Sequence, residues 1–192
     1  MQWRDANDPD QGQSFYTFGA IDQSVVKACG GKINYTPVDS SNGFWQFPST
    51  STVVNGTTTT LTGNTAIADT GTTLAMIDSA SCTAIYNAIP GATYDNTQQG
   101  YVFPANTTAA QLPVVQFAIG NALVTVQKED YGFADAGNGM VYGSFQDRGN
   151  MPLSIYGDAV LKSMYAIFDE GNKQFGFCQR TEANQNLATP PS

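Results

Sequence analysis

Residues 66–77 read AIADTGTTLAMI. Short apolar runs, Ala66-Ile67-Ala68 and Leu74-Ala75-Met76-Ile77, flank one acid and its hydroxyl-rich neighbours: Asp69, Thr70, Gly71, Thr72 and Thr73. Both runs have the length and apolar character of buried strands. A carboxylate at the end of such a strand is costly to desolvate unless hydrogen bonds or a second charge hold it. The neighbours can supply those bonds, from the Thr72 hydroxyl and from backbone N–H groups at the Gly71 turn. Gly71 also lets another backbone or a ligand come close. The stretch therefore predicts an oriented, exposed carboxylate at the tip of a strand. Taken alone, the three letters DTG are a weak motif, and a turn aspartate satisfied by its own neighbours is the commoner reading.

Outward from this stretch the chain is a series of short β-like runs: FYTFGAI, KINYTPV and FWQF before it, and GYVFPA, GMVYGSF and LSIYG after it. TSTVVNGTTTTLTG reads as a hairpin turning at Asn55-Gly56, a strong short-range hairpin signal. VVQFAIGNALVTVQ reads as a second hairpin near Gly120-Asn121, and YAIFDEGNKQFGFCQ as a third through Glu170-Gly171-Asn172. One helix is predicted over residues 79–89. Asp78 or Ser79 caps it, Cys82, Ile85, Tyr86 and Ile89 share one face, and Pro90-Gly91 ends it. A shorter helix is expected over residues 158–164. Residues 1–14 read as a linker or peripheral strand, 15–180 as a single unit, and 181–192 as a polar tail. The fold class is all-β with one or two short helices.

The 192 residues suffice for one domain with a sizeable core. Apolar residues make up 41% and charged residues 12%, a globular balance. The net charge of −8 and the scattered basic residues argue against nucleic acid as a partner. No run of 18 apolar residues exists, so no membrane-spanning helix is expected. Histidine is absent, which removes Ser-His and Cys-His catalysis and the commonest zinc ligand. Asn34, Asn55 and Asn106 each begin an Asn-X-Thr triplet, either a glycosylation acceptor or a chance match in a Thr-rich chain. Three cysteines, Cys29, Cys82 and Cys178, allow at most one internal disulfide. Acceptor triplets without a leader at residue 1 suggest a secreted or vacuolar protein that begins inside a longer precursor.

AIADTGTTL has the form apolar-x-apolar-Asp-Thr-Gly-Thr, and far downstream Ile155-Tyr156-Gly157 precedes a short helix beginning at Asp158. This pair of motifs resembles the pepsin-like aspartic proteases, and specifically the carboxy-terminal lobe of secreted fungal members. FYTFGAID, GFWQF, LPVVQFAIG, SIYGDAVLKSMYAIFD and QFGF extend the resemblance in order over residues 15–177. The resemblance implies one β-rich half of a two-lobed, pseudo-twofold enzyme. Its chemistry uses two facing Asp-Thr-Gly turns, whose carboxylates share a proton around one water. It asks for no metal and no cofactor. By position Asp69 is implied as one catalytic carboxylate. Thr70 would bond across to the facing turn, and Thr72 would orient the outer oxygen of Asp69. Gly71 and Thr73 would bind the substrate backbone, and Phe44, Ile67 and Ile155 would line apolar side-chain pockets or pack as core.

The sequence holds only one Asp-Thr-Gly. The resemblance therefore implies a partner, either an amino-terminal lobe or a second copy of the chain, and a protein or peptide substrate. A non-catalytic protein-binding or immunomodulatory domain is the remaining alternative, although such a domain has no need of the acid. Many fungal members carry a disulfide in this lobe; the corresponding places here hold Ala105 and Val141. A Cys82–Cys178 bridge from the helix to the last strand is one expectation for the cysteines. Three free thiols is the other.

Overall fold

The computed structural model describes residues 15–180. In chain order the elements are α1 (Gln23–Ala28), β1 (Asn34–Pro37), β2 (Gln46–Pro48), β3 (Ser51–Val54), β4 (Thr57–Thr60), β5 (Thr65–Ala68), β6 (Ala75–Ile77), α2 (Ser79–Asn87), β7 (Thr93–Asp95) and β8 (Gly100–Pro104). There follow β9 (Val115–Ile119), β10 (Ala122–Thr125), a 3-10 turn (Lys128–Asp130), β11 (Gly132–Gly137), β12 (Met140–Gly143), β13 (Phe145–Asp147), β14 (Ser154–Tyr156), α3 (Asp158–Leu161), β15 (Met164–Asp169) and β16 (Gln174–Gln179). Strands dominate, as the alternating sequence runs predict.

The strands form four small sheets, ordered β1-β16-β15, β10-β9-β3-β4, β11-β12-β8-β7 and β13-β6-β14-β5-β2. The five-stranded sheet is mixed. β14 runs parallel to β5 and antiparallel to β6, so it lies between the two strands that flank Asp69. Period-2 alternation sorts this sheet into two faces. Phe47, Ala66, Ala68, Ala75, Ile77 and Tyr156 enter the main core. Gln46, Ile67, Ile155 and Met76 are register partners on the opposite face.

The core is built on aromatic side chains. Phe47 stacks on Phe175 with ring centroids 5.1 Å apart, and Phe117 lies 5.1 Å from Tyr156 and 5.8 Å from Phe145. Burying each such side chain stabilises the fold by about 1.5–3 kcal/mol. These contacts join the five-stranded sheet, through β2, β13 and β14, to β9 and β16, so the strand leading to Asp69 rests on a packed base.

The local signals are realised with adjustments. Asn55 and Gly56 both take positive φ, 48° and 81°, as a two-residue turn between β3 and β4 requires. The mostly exposed Thr57–Thr60 strand forms on the far side of that turn. Asp78 caps α2, its Oδ1 accepting from the Ser81 N–H at 2.9 Å. α2 ends at Asn87, short of the predicted residue 89, although Ile89 is still buried. α3 is four residues long, because Met164 already belongs to β15. The last hairpin turns over residues 170–173, closed by Lys173 at positive φ. FYTFGAI forms no strand. It leads instead into α1, capped by Asp22, whose Oδ1 accepts from Ser24 N–H at 2.9 Å. The predicted linker over residues 1–14 and the polar tail over 181–192 lie outside the described residues.

Candidate active site

Asp69 follows the last residue of β5 and sits where β5, β14 and β6 converge. Its backbone N–H donates to the Tyr156 carbonyl at 3.1 Å, which continues the parallel pairing one step beyond the strand. Its side chain is held at both oxygens. Oδ1 accepts from Gly71 N–H at 2.9 Å, and Oδ2 accepts from the Thr72 hydroxyl at 2.6 Å. A bond to an ionised acceptor is shorter and stronger than a neutral one. A Cβ at Gly71 would stand 3.2 Å from Oδ1, tighter than ordinary contact, so the small residue permits the turn to fold back on the acid. Asp69 is half-buried, and Thr70, Gly71 and Thr73 are exposed. The carboxylate is thus oriented by its own turn while the turn itself faces outward.

The second motif locks this turn from behind. The Asp158 N–H donates to the Thr72 carbonyl at 2.8 Å, and the Ala159 N–H to the Thr73 carbonyl at 2.9 Å. These are the first amides of α3, left free by the helix geometry. A Cβ at Gly157 would lie 2.2 Å from the Thr72 oxygen and 2.4 Å from that of Leu74, so only glycine fits between the two segments. Tyr156 is fully buried and its hydroxyl bonds to Ser49; burial pushes its phenol upward.

Asp158 is a site residue that reading the sequence picked out only as a helix start. Burial raises its carboxyl above the ordinary 3.8, the Lys162 ammonium opposes this, and the Asp69 and Asp130 carboxylates add to it. Asp158 Oδ1 is buried without a hydrogen-bond partner among the described residues. Lys162 pairs with the buried Asp130 carboxylate. The signal available in advance was an acid directly after the Ile-Tyr-Gly run; its proximity to Asp69 depends on the β5–β14 pairing.

Ile67 and Ile155 are register partners, the first buried and the second half-buried. Phe44 is exposed just before β2; the adjoining Trp45 carbonyl accepts from Ala68 N–H at 3.2 Å, which brings this segment beside the end of β5. Asn34 is half-buried on β1 opposite Phe177. Asn55 and Asn106 are exposed in turns, and Asn55 Oδ1 accepts from Val114 N–H at 2.8 Å. Ala105, one of the two places where a disulfide would be expected, donates its N–H to Gly139 on the turn before β12.

In this structure all three cysteines carry reduced thiols. The expected Cys82–Cys178 bridge is not formed here, and the two thiols have different surroundings. Cys82 is buried on α2, where desolvation and then the Asp147 and Asp78 carboxylates push its thiol up. Cys178 instead faces α1, its Sγ donating to the Cys29 carbonyl at 3.1 Å and lying 3.6 Å from that of Val26. The helix that receives Cys178 is the one the sequence reading did not foresee.

Comparisons with known proteins bear on the family and the fold. Residues 5–180 match the family model for eukaryotic aspartyl protease. Aspergillopepsin-1 of Aspergillus pseudoglaucus is 41% identical over 162 residues, covering 84% of this chain and 40% of that protein. Penicillopepsin-3 of Penicillium janthinellum is 36% identical over 162 residues, with the same coverage. The crystal structure of an aspartic proteinase from Irpex lacteus superposes with a TM-score of 0.67 at 26% identity, over 90% of this chain and 52% of that one. The chain thus spans about 40% of the length of the curated relatives it matches, consistent with one lobe. With a family model matched over nearly its whole length and a fold shared with a solved member, the chain belongs to the eukaryotic aspartyl protease family.

Proposed function

We propose that this chain is the carboxy-terminal lobe of a pepsin-like aspartic endopeptidase and that Asp69 is one of its two catalytic carboxylates. The observation that carries the reading is the two-point fixation of Asp69: Gly71 N–H on Oδ1 and the Thr72 hydroxyl on Oδ2, on a turn that faces outward. A carboxylate held this way is aimed rather than merely neutralised.

In the proposed reaction a second aspartate, on a facing lobe, shares a water with Asp69. One carboxylate accepts a proton from the water as its oxygen attacks the scissile carbonyl. The other, protonated, donates to the carbonyl oxygen, giving a tetrahedral diol that collapses with protonation of the leaving amine. Thr70 is proposed to bond to the facing turn, Gly71 and Thr73 to hold the peptide backbone, and Phe44, Ile67 and Ile155 to meet apolar side chains. The partner is an amino-terminal lobe, the substrate a protein or peptide, and the setting secreted or vacuolar. A single Asp69 cannot serve as acid and base at once, so the chain alone is proposed to be inactive.

Digestion of denatured haemoglobin or casein at acid pH tests this. The expected result is no cleavage by the chain alone, cleavage after addition of a separately folded amino-terminal lobe, and its loss with Asp69→Asn. Activity of the lone chain that is linear in concentration and survives Asp69→Asn would overturn the reading. Activity rising with the square of concentration and abolished by Asp69→Asn would replace the lobe partner with a second copy.

A further inference from the structure

We propose that Cys29 and Cys178 are a disulfide pair that fastens the entry of this lobe to its exit, with Cys82 held apart as a permanent thiol. Cys29 is the C-terminal cap of α1, and Cys178 lies near the end of β16, the last strand described. The two are 149 positions apart in sequence. Yet Cys178 Sγ reaches the Cys29 carbonyl at 3.1 Å, so the last strand places its sulfur against the residue that carries the other thiol. Cys82 is fully buried on the inner face of α2, near the acids Asp78 and Asp147. The pairing is therefore decided by place, not by the number of cysteines.

The mechanical consequence follows from the topology. α1 buries a single residue, Val26, and its outer residues are exposed or half-buried. So small an apolar contact holds a six-residue helix weakly. It is held further by the Cys178 contacts and by Asp22 N–H donating to Tyr165 Oη at 3.1 Å on β15. A covalent bond at Cys29 would hold the helix on the β1-β16-β15 sheet and close a long loop in the unfolded chain. Loops of that length give the largest stabilisation a disulfide offers in the chain-entropy picture.

The chemistry balances with a low-molecular-weight disulfide such as oxidised glutathione. Cys29 is half-buried and Cys178 fully buried, so the oxidant meets Cys29 first. The Cys29 thiolate attacks it, forming a mixed disulfide and releasing one glutathione thiolate. Cys178 then loses its proton and attacks the Cys29 sulfur, releasing the second glutathione. Two protein thiols are oxidised by two electrons as one small disulfide is reduced to two thiols. Burial, and then the neighbouring Cys178 sulfur, push the Cys29 thiol up to about 11. Exchange on the folded, reduced protein is thus slow at neutral pH and speeds up about tenfold for each unit by which pH rises toward that value.

The test uses the 192-residue chain refolded in a mixture of reduced and oxidised glutathione, then unfolded, alkylated and digested with trypsin without reductant. The cleavage sites isolate Cys29 in residues 28–32, Cys178 in residues 174–180 and Cys82 in residues 33–128. The expected product is 28–32 linked to 174–180, two hydrogens lighter than the sum, with Cys82 alkylated. Cys82→Ala keeps this linkage. Cys29→Ser abolishes it, leaves two alkylated cysteines, and lowers the melting temperature by about 5–15 °C. Three alkylated cysteines in the native chain, any linkage to residues 33–128, a dimer joined through Cys29, or an unchanged melting temperature in Cys29→Ser would each overturn the proposal.

Discussion

At the scale of single residues, the site rests on how one carboxylate is held. Thr72 contributes one hydroxyl bond, and Val at this position keeps the shape while losing the donor. A hydrogen bond to a charged group contributes about 1.5–3 kcal/mol. In the proposed two-lobe enzyme, Thr72→Val is therefore expected to lower kcat about 10- to 100-fold with KM little changed, read from steady-state cleavage of a peptide. Asp158 gives a second expectation. Burial raises its carboxyl above 3.8, with Asp69 and Asp130 adding to the rise and Lys162 opposing it. Between 3.8 and the raised value the folded state binds more protons than the unfolded state. Stability contributed here is thus full below 3.8 and is lost as pH rises through that window. Asp158→Asn removes the effect. The urea midpoints of the two proteins should agree below pH 3.8, and the variant should become the more stable as pH rises to neutral. A gap that opens toward acid pH instead would contradict this account.

At the scale of elements, the decisive contact is between the Asp69 turn and the start of α3. Gly157 is there because the Thr72 and Leu74 carbonyls leave no room for a Cβ, and neither backbone can yield without breaking the Asp158 and Ala159 N–H bonds. Gly157→Ala is expected to cost about 3 kcal/mol, seen as a lower urea midpoint with an unchanged m-value. Residues that signal through local geometry could be read in advance. Asn55-Gly56 specifies its hairpin, Asp78 its helix cap, and Asp69 with Gly71 and Thr72 its own hydrogen-bonded turn. What escaped depends on neighbours remote in sequence. Phe15 and Phe18 look like strand residues but are exposed, because α1 and not a strand follows them. The lone buried residue of that helix, Val26, gave no apolar periodicity to detect. The Cys29–Cys178 proximity and the placement of Asp158 both depend on long-range packing, β16 against α1 and β14 beside β5, that no local pattern encodes.

At the scale of the whole molecule, the β1-β16-β15 sheet has β1 and β15 as its edges among the described residues, and aromatic side chains gather around it. Phe15 packs on Tyr165 at 6.0 Å, Trp45 meets Phe168 edge-on at 5.1 Å, and Tyr35 lies over Gly176. Phe18 is 92% exposed in the segment that crosses Tyr165, where the Thr17 and Tyr165 hydroxyls are 3.3 Å apart. Open strand edges and contiguous exposed apolar surface both favour association. If this surface meets an amino-terminal lobe in the proposed enzyme, the isolated chain has to leave it wet or cover it with another copy. Sedimentation velocity is expected to show concentration-dependent self-association of the lone chain, strengthened by salt as its net charge of −8 is screened. Phe18→Lys should shift the distribution toward monomer without moving the urea midpoint, since a side chain that exposed has little packing to lose. An added amino-terminal lobe should compete the self-association away and give a one-to-one complex. A chain that stays monomeric at all accessible concentrations, with or without Phe18, would show that this surface is inert and would remove the physical argument for an apolar contact between lobes.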